Sequence, residues 1–188
     1  MTHIFLNKAF EWLDHPSGEG VLDDSVYCAT RDVLQGRLDK LRLTLEKNKP
    51  EDAALFIAVC GEIGNNSFDH NIGTWRTIPG VYFDFDHDTS AVILADRGQG
   101  IRASLSRVVP ELGSDTEAIK VAFSETISGR FPEHRGNGLK FVRDVVRRKN
   151  WSLEFFAGNG VGKITKRNRM EFLESEHNLK GCAAFISM

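Results

Sequence analysis

The feature that most constrains the fold of this chain is one long helical segment. An apolar run, residues 53–60, follows Pro50, and Glu51 and Asp52 come directly after that proline. Proline is favoured in the first turn of a helix, and acidic side chains there interact favourably with the positive end of the helix dipole. The pattern predicts a helix from about Pro50 to His70 that is apolar over its first half and densely polar over its second half.

The polar half of this predicted helix carries its side chains on one side and at one end. Steps of three or four residues bring together Glu62, Asn66, Asp69, His70 and Gly73. Mg²⁺ takes one or two oxygen ligands from protein and the rest from water and phosphates, so Asn66 alone could serve as its protein ligand. Glu62 would then be free to act as a base. A solvated helix end with an Asn or Asp cap is the structural alternative.

A second feature follows an apolar strand. Residues 93–95 lead into Asp96, and Gly98 and Gly100 come next at alternate positions. Glycine allows positive φ and lets a ligand lie close to the backbone, while a carboxylate at a strand end can accept a hydrogen bond from an amine. The amino group of adenine is such a donor. An ordinary Asp-x-Gly turn also fits this pattern.

A third feature combines glycines with the start of a helix. The segment 135–139, Arg-Gly-Asn-Gly-Leu, leads into a helical pattern that runs from Gly138 to Lys149. Unpaired N–H groups at the positive end of a helix dipole are a common way to hold phosphate. The preceding residues, 124–134, are rich in small and charged side chains and are interpreted either as a lid or as an ordinary surface loop.

Strand and helix patterns in the rest of the chain predict a mixed α/β fold. Alternating or continuous apolar runs predict strands at residues 80–86, 91–95, 152–157, 170–173 and 182–187. Helical patterns occur at 4–13, 101–109 and 116–123. A further helix is predicted from about 24 to 47, with Asp23, Asp24 and Ser25 as candidate caps. Its apolar stripe either packs on its own domain or forms the seam of a homodimer.

Composition excludes several classes of protein. The chain has 188 residues and a formal net charge of -2, which suits one compact domain without a general attraction for nucleic acid or membranes. No window approaches the ~20 apolar residues of a membrane span. Three widely spaced cysteines, Cys28, Cys60 and Cys182, indicate neither a disulfide framework nor a zinc site. We therefore expect a cytoplasmic protein.

Taken in order, the three features resemble the motifs of the GHKL superfamily. This ATP-binding fold is shared by histidine kinases, Hsp90, type II topoisomerases, the mismatch-repair ATPase MutL and bacterial anti-sigma serine kinases. The motifs are Glu-x-x-x-Asn, Asp-x-Gly-x-Gly and Gly-x-Gly-Leu, matched by Glu62, Asn66, Asp96, Gly98, Gly100, Gly136, Gly138 and Leu139. A weaker match covers residues 181–186, where Cys182 replaces the usual threonine. The resemblance spans residues 50–188 and leaves 1–49 as an N-terminal helical extension.

The resemblance implies a fold and a set of roles. The fold would be a two-layer α/β (α+β) sandwich of the Bergerat type, with a mixed, mostly antiparallel sheet and helices on one face. Asn66 would ligate Mg²⁺, Glu62 would be the general base and Asp96 would contact adenine. Further nucleotide contacts would come from Asp69, His70, Gly98, Gly100, Ile101, Arg135, Gly136, Asn137, Gly138, Leu139 and Cys182.

The resemblance also implies a function, with alternatives that the residues leave open. Glu62, Asn66 and His70 together are similar to the anti-sigma kinase pattern, whereas Asn66 and Asp69 are similar to the Asn-x-x-Asp of Hsp90 and MutL. The first expectation is a Mg-ATP-dependent ATPase or serine/threonine kinase that acts on a small regulatory protein, such as a sigma-factor or anti-anti-sigma-like partner. A nucleotide-gated interaction module with little turnover is the second. A degenerate domain without nucleotide is the third.

Overall fold

An antiparallel sheet forms the centre of the fold. The computed structural model describes residues 2–124, 137–165 and 169–188. Its strands are β1 (Tyr27–Cys28), β2 (Val81–Asp86), β3 (Ala91–Asp96), β4 (Ser152–Ile164) and β5 (Glu171–Ser187). They lie in the order β1-β2-β3-β5-β4, and every pair is antiparallel. The described sheet is therefore wholly antiparallel, where the sequence analysis predicted a mixed, mostly antiparallel one.

The central strand β3 ends at the position that matters for the site. Asp96, its last residue, pairs with Val81 of β2 on one side and with Cys182 of β5 on the other. The two strand patterns predicted at 170–173 and 182–187 belong to the single long strand β5. Register shifts near Gly158 and Gly160 allow β4 to follow β5 along this length.

The helices of the described residues begin and end close to the predicted positions, with two exceptions. These helices are α1 (Thr2–Asp14), α2 (Arg31–Asn48), α3 (Pro50–His70), α4 (Gly100–Leu105), α5 (Asp115–Ser124) and α6 (Gly138–Lys149). Helix α4 ends at Leu105 instead of near Val109, and the predicted start of α2 near Asp24 is wrong. Thr30 is the cap, because its hydroxyl accepts a hydrogen bond from the Val33 N–H at 3.3 Å. Asp23 instead closes a local turn by accepting from the Ser25 N–H.

One face of the sheet carries the main apolar core. Helices α2, α3, α5 and α6 pack there on inward-facing side chains such as Leu94 of β3 and Phe155 of β4. Aromatic pairs join the layers: Phe56 meets Trp151 edge-on with ring centroids 5.3 Å apart, and Phe123 meets Phe155 at the same separation. This layer of helices on the sheet is the two-layer sandwich that the sequence predicts.

The opposite face of the sheet is covered by α1. Side chains alternate along β3, so that Ile93 points away from Leu94 and packs in a second apolar cluster with Trp12 and Leu13. Phe10 of α1 lies edge-on to Phe156, with centroids 5.3 Å apart. The expectation of helices on one face thus holds for α2, α3, α5 and α6, and α1 adds a small layer on the other. None of the helices in the described ranges combines the length and apolarity needed to cross a membrane.

Candidate functional site

A pocket opens between α3, the end of β3 and the start of α6. The space between its walls measures about 850 Å³, which includes the open mouth. Its walls include Ile63, Asn66, Ser67, His70, Asn71, Leu94, Ala95, Asp96, Gly100, Ile101, Ser104, Leu105, Ala122, Gly138, Leu139, Phe155, Cys182, Ala183 and Ala184. The three sequence features therefore meet at one cavity.

Asp96 is the most buried acidic group of the pocket, with 3 % of its surface exposed. Its Oδ2 accepts a hydrogen bond from the Ser67 hydroxyl at 2.8 Å, and its Oδ1 accepts from the Asn71 amide at 3.1 Å and from the Gly98 N–H at 2.9 Å. Burial raises the pKa of the Asp96 carboxyl, and these hydrogen bonds oppose the rise. The donors hold one carboxylate orientation at the pocket wall.

Asn71 fastens the end of α3 to the loop after β3. Its side-chain amide donates to the Ser67 carbonyl at 2.8 Å, and its Oδ1 accepts from the Gln99 N–H at 3.0 Å. A Cβ on Gly98 would lie 2.0 Å from the Asn71 side chain, so a glycine is needed there. Sequence reasoning missed both Asn71 and Ser67 as site residues. Only the break in helical pattern after His70 marks Asn71 in the sequence.

His70 and Ser104 form a hydrogen-bonded pair in the pocket wall. The Ser104 hydroxyl and the His70 Nδ1 are 3.1 Å apart. Burial lowers the pKa of His70, and the positive charge of Arg107 lowers it further. The imidazole is therefore favoured in its neutral form in the unliganded pocket.

The start of α6 lies against the first motif on α3. A Cβ on Gly138 would come within 2.3 Å of the Glu62 Oε2 and 3.6 Å of the Asn66 Nδ2. A larger residue at this position would therefore displace the Glu62 carboxylate. Asn66 lines the pocket, while Glu62 is exposed at its rim. Among the described residues no side chain caps α6, whose N-terminus lies near Glu62 and Asn66.

The remaining predicted site residues fall into three groups. Gly100, Ile101, Leu139 and Cys182 line the pocket, as do His70 and Asn66. Gly98 lies behind Asn71, and Asn137 precedes the first residue of α6. Arg135, Gly136 and the segment interpreted as a lid, apart from Ser124, lie outside the described residues.

Asp69 is placed differently from the rest of the predicted set. It forms an ion pair with Arg31 of α2, and it is not among the described residues that line the pocket.

Cys182 does reach the pocket, where burial and the charge of Asp96 raise the pKa of its thiol well above the ordinary value. In the sheet, Cys182 pairs with Asp96.

The donors at the pocket mouth are compatible with Mg²⁺ held mainly by water and phosphate. Asn66 and Glu62 supply a carboxamide and a carboxylate at adjacent turns of α3. Within the described ranges, no group of three or more His, Cys, Asp or Glu residues could hold a metal ion by itself.

Comparison of the chain with models of protein families gives no match, and comparison with curated proteins gives none either.

Proposed function

We propose that the pocket binds Mg-ATP and that the protein is a regulatory ATPase or serine/threonine protein kinase acting on a small partner protein. The observation that supports this proposal is the convergence of three motifs far apart in sequence. Glu62 and Asn66 on α3, Asp96 at the end of β3 and Gly138 at the start of α6 surround one cavity or its rim. This is the arrangement that the GHKL resemblance requires.

The inner end of the pocket suits a purine. Asp96 presents a buried carboxylate, and apolar side chains such as Ile101 and Leu105 form the walls beside it. Ala184 on β5 faces the same side of the sheet, and its small side chain leaves room for a flat ring system. A hydrogen bond from an exocyclic amine to a buried carboxylate is charge-assisted and favours adenine over a base that offers a carbonyl there.

The outer end of the pocket suits a triphosphate. The N-terminus of α6 contributes backbone N–H groups and the positive end of its dipole, and Asn66 contributes an oxygen ligand for Mg²⁺. When bound, Mg²⁺ would supply charge neutralisation for the phosphates. Glu62 would orient and deprotonate the attacking water or hydroxyl. General-base catalysis of this kind raises the rate roughly a hundred to ten-thousand-fold.

The position of Glu62 also favours a second candidate function. Its carboxylate lies against Gly138, where it can interact with the helix dipole of α6 instead of with a nucleophile. In that case the protein would be a nucleotide-gated interaction module with little turnover. Nucleotide binding would shift the population of a partner-binding conformation without a chemical step.

Thermal denaturation with nucleotide tests the binding claim. Mg-ATP at a hundredfold excess over Kd is expected to raise the melting temperature by about 5–10 °C. Asp96→Asn should abolish most of this shift, because the carboxylate that accepts from the base is lost. Asp88→Asn, the same change in the exposed turn after β2, is the matched control. Equal shifts in wild type and the Asp96 variant would refute the adenine assignment, and no shift in wild type would refute both candidate functions.

Turnover separates the two candidate functions. Glu62→Gln removes the base but keeps the size of the side chain, so nucleotide affinity should be retained while phosphate release or phosphotransfer falls at least about tenfold. The measurement compares single-turnover rates with saturating Mg-ATP, with and without a co-purified partner. An unchanged rate would favour the gated module.

A further inference from the structure

Arg97 directs its charge away from the pocket and into the last turn of α1. The residue is fully buried. Its Nη1 donates to the carbonyl oxygens of Trp12 and Leu13, the latter at 3.0 Å. Its Nη2 donates to the carbonyl oxygens of His15 and Pro16 at 2.5 and 3.2 Å. The guanidinium carbon also lies 5.7 Å from the centroid of the Trp12 ring.

These contacts make Arg97 the cap of a helix that is more than 80 residues away in sequence. The last carbonyl groups of a helix have no partner within it, and a cation there also interacts favourably with the dipole. The Nε of Arg97 donates to the Thr77 hydroxyl at 3.0 Å, so each of its three nitrogens has an acceptor. Arg76 strengthens the attachment through a hydrogen bond to the Leu13 carbonyl at 2.7 Å.

The backbone that carries Arg97 is the backbone that positions Asp96. The two residues are adjacent, and they point to opposite faces of the sheet. On the pocket side, Asn71 holds the Asp96 carboxylate and the Gln99 N–H. On the other side, α1 holds the Arg97 guanidinium. A displacement of α1 from the sheet would therefore pull on the segment that forms the inner wall of the pocket.

We propose that Arg97 is a positioning residue that couples docking of α1 to occupancy of the pocket. The identity of the ligand rests on the proposed function, whereas the coupling itself needs only a ligand that contacts the Asp96 segment. Thermodynamic coupling between two sites is reciprocal. A ligand that fixes Asp96 stabilises the docked position of α1, and loss of this docking lowers the affinity for the ligand by the same factor. The N-terminal helix is thereby part of the control of the site.

Two glycines in the turn after α1 supply a matched test. Gly18 and Gly20 both have positive φ, +76° and +69°, so alanine is strained at either position. A Cβ on Gly18 would lie 2.7 Å from the Nε of Arg97, whereas a Cβ on Gly20 would meet no atom of the described residues within 4 Å. Gly18→Ala thus pushes on the guanidinium, and Gly20→Ala reproduces the strain alone.

The first measurement combines amide hydrogen exchange with calorimetric titration of Mg-ATP. Gly18→Ala is expected to speed exchange in residues 6–14 and 96–100 and to weaken Mg-ATP about tenfold relative to Gly20→Ala. If Gly18→Ala does not fold, Thr77→Val removes the acceptor of the Arg97 Nε and gives a milder variant. Faster exchange in α1 with unchanged affinity for Mg-ATP would overturn the coupling and leave the proposed function standing.

The second measurement tests the reverse direction. Saturating Mg-ATP is expected to slow exchange of α1 in wild type, and Arg97→Lys should remove this response because lysine cannot reach the same set of acceptors. Arg37→Lys is the control, since Arg37 also donates to main-chain carbonyls, among them that of Tyr27 at 2.9 Å. A response that survives in Arg97→Lys would overturn the proposal.

The result for wild type distinguishes failure of the proposed function from failure of the coupling. If wild type does not bind Mg-ATP, the proposed function fails, and the coupling is measured without ligand. Gly18→Ala should then still speed exchange in residues 96–100 together with α1. Faster exchange confined to α1 would overturn the coupling on its own.

Discussion

Two neighbouring charged residues, Asp96 and Arg97, lie on opposite faces of the sheet in different surroundings. Asp96 points to the face that carries α3, where a cavity remains beside its carboxylate. Arg97 points to the face that carries α1 and is enclosed by carbonyl groups of that helix and the turn after it. Both side chains are buried, with 3 % and 0 % of their surface exposed. Burial alone therefore does not distinguish a charge beside an open cavity from a charge enclosed by protein.

The difference lies in what surrounds each charge. On the α3 face, the small residues Ala184 and Gly138 leave space between helix and sheet, so a ligand can reach the carboxylate. On the α1 face, Trp12 and Tyr82 fill the corresponding space. A charge beside a void can exchange partners, whereas a charge whose donors all have protein partners acts by holding the chain together.

The largest expected effect concerns the closed face. Trp12→Ala should reduce the free energy of unfolding by about 3–5 kcal/mol, because it removes a fully buried aromatic side chain and leaves a cavity next to Arg97. Urea denaturation measures the loss. Trp75→Ala, at a half-buried tryptophan that packs on Phe68, is the control and should cost clearly less. A loss in Trp12→Ala no larger than that in Trp75→Ala would contradict the close packing of Trp12 between α1 and the sheet.

A smaller loss of stability is expected from a substitution at Asn71, which holds the pocket wall on the α3 face of the sheet. Asn71→Ala should cost about 2–3 kcal/mol, since the Asp96 Oδ1 and the Gln99 N–H each lose a buried partner. The same variant should have a lower affinity for Mg-ATP. Asn65→Ala, within α3 but not among the pocket-lining residues that the structure describes, provides the comparison in urea and in titration. A stable variant with full affinity would refute the role of Asn71.

The open face should also make stability depend on pH. Because burial lowers the folded-state pKa of His70 below 6.5, the unfolded chain binds the proton more readily. The contribution of His70 is therefore fully present above about pH 6.5 and is lost as pH falls through the folded-state pKa. Denaturation of His70→Gln across this range should show a weaker loss of stability on acidification than wild type. A parallel pH dependence would contradict the burial of this imidazole, and His87→Gln at the surface is the control substitution.

The smallest effect is expected outside both faces. Asp69 pairs with the half-exposed Arg31, and such surface ion pairs contribute below about 1 kcal/mol. Asp69→Asn should therefore leave both the free energy of unfolding and the affinity for Mg-ATP nearly unchanged. The resemblance to the Asn-x-x-Asp motif leads to the opposite expectation. A tenfold or larger loss of affinity would show that Asp69 reaches the nucleotide after all.

Local signals account for the elements that were predicted well. Proline with two acidic residues places the start of α3 at Pro50, and the apolar runs place β2 and β3 within a residue or two. The start of α2 was misplaced because Asp23 and Thr30 are both good cap residues, and only the folded chain shows that Asp23 is used by a local turn. The strands at 170–173 and 182–187 merge because pairing with β4 carries β5 through a polar stretch.

The residues of the candidate site also divide into those that local sequence signals predict and those that only the folded chain reveals. Motif spacing was sufficient to select Asn66, Asp96 and Gly138, because each motif is continuous in sequence. It could not find the partners that hold these residues, since Asn71 meets Asp96 across 25 residues and Arg97 meets Leu13 across 84. Such contacts depend on which elements the fold brings together.

By itself, the order of residues determined α3, α6, β2 and β3, the polar half of α3 and the chemical types gathered in each motif. These follow from periodicity, capping and glycine geometry, which act over a few residues. Only the tertiary structure decided that one face of the sheet stays open around Asp96 while the other closes around Arg97. The reason is that a cavity and a buried ion both depend on how well distant side chains fill the space between layers, and that packing is a property of the assembled fold.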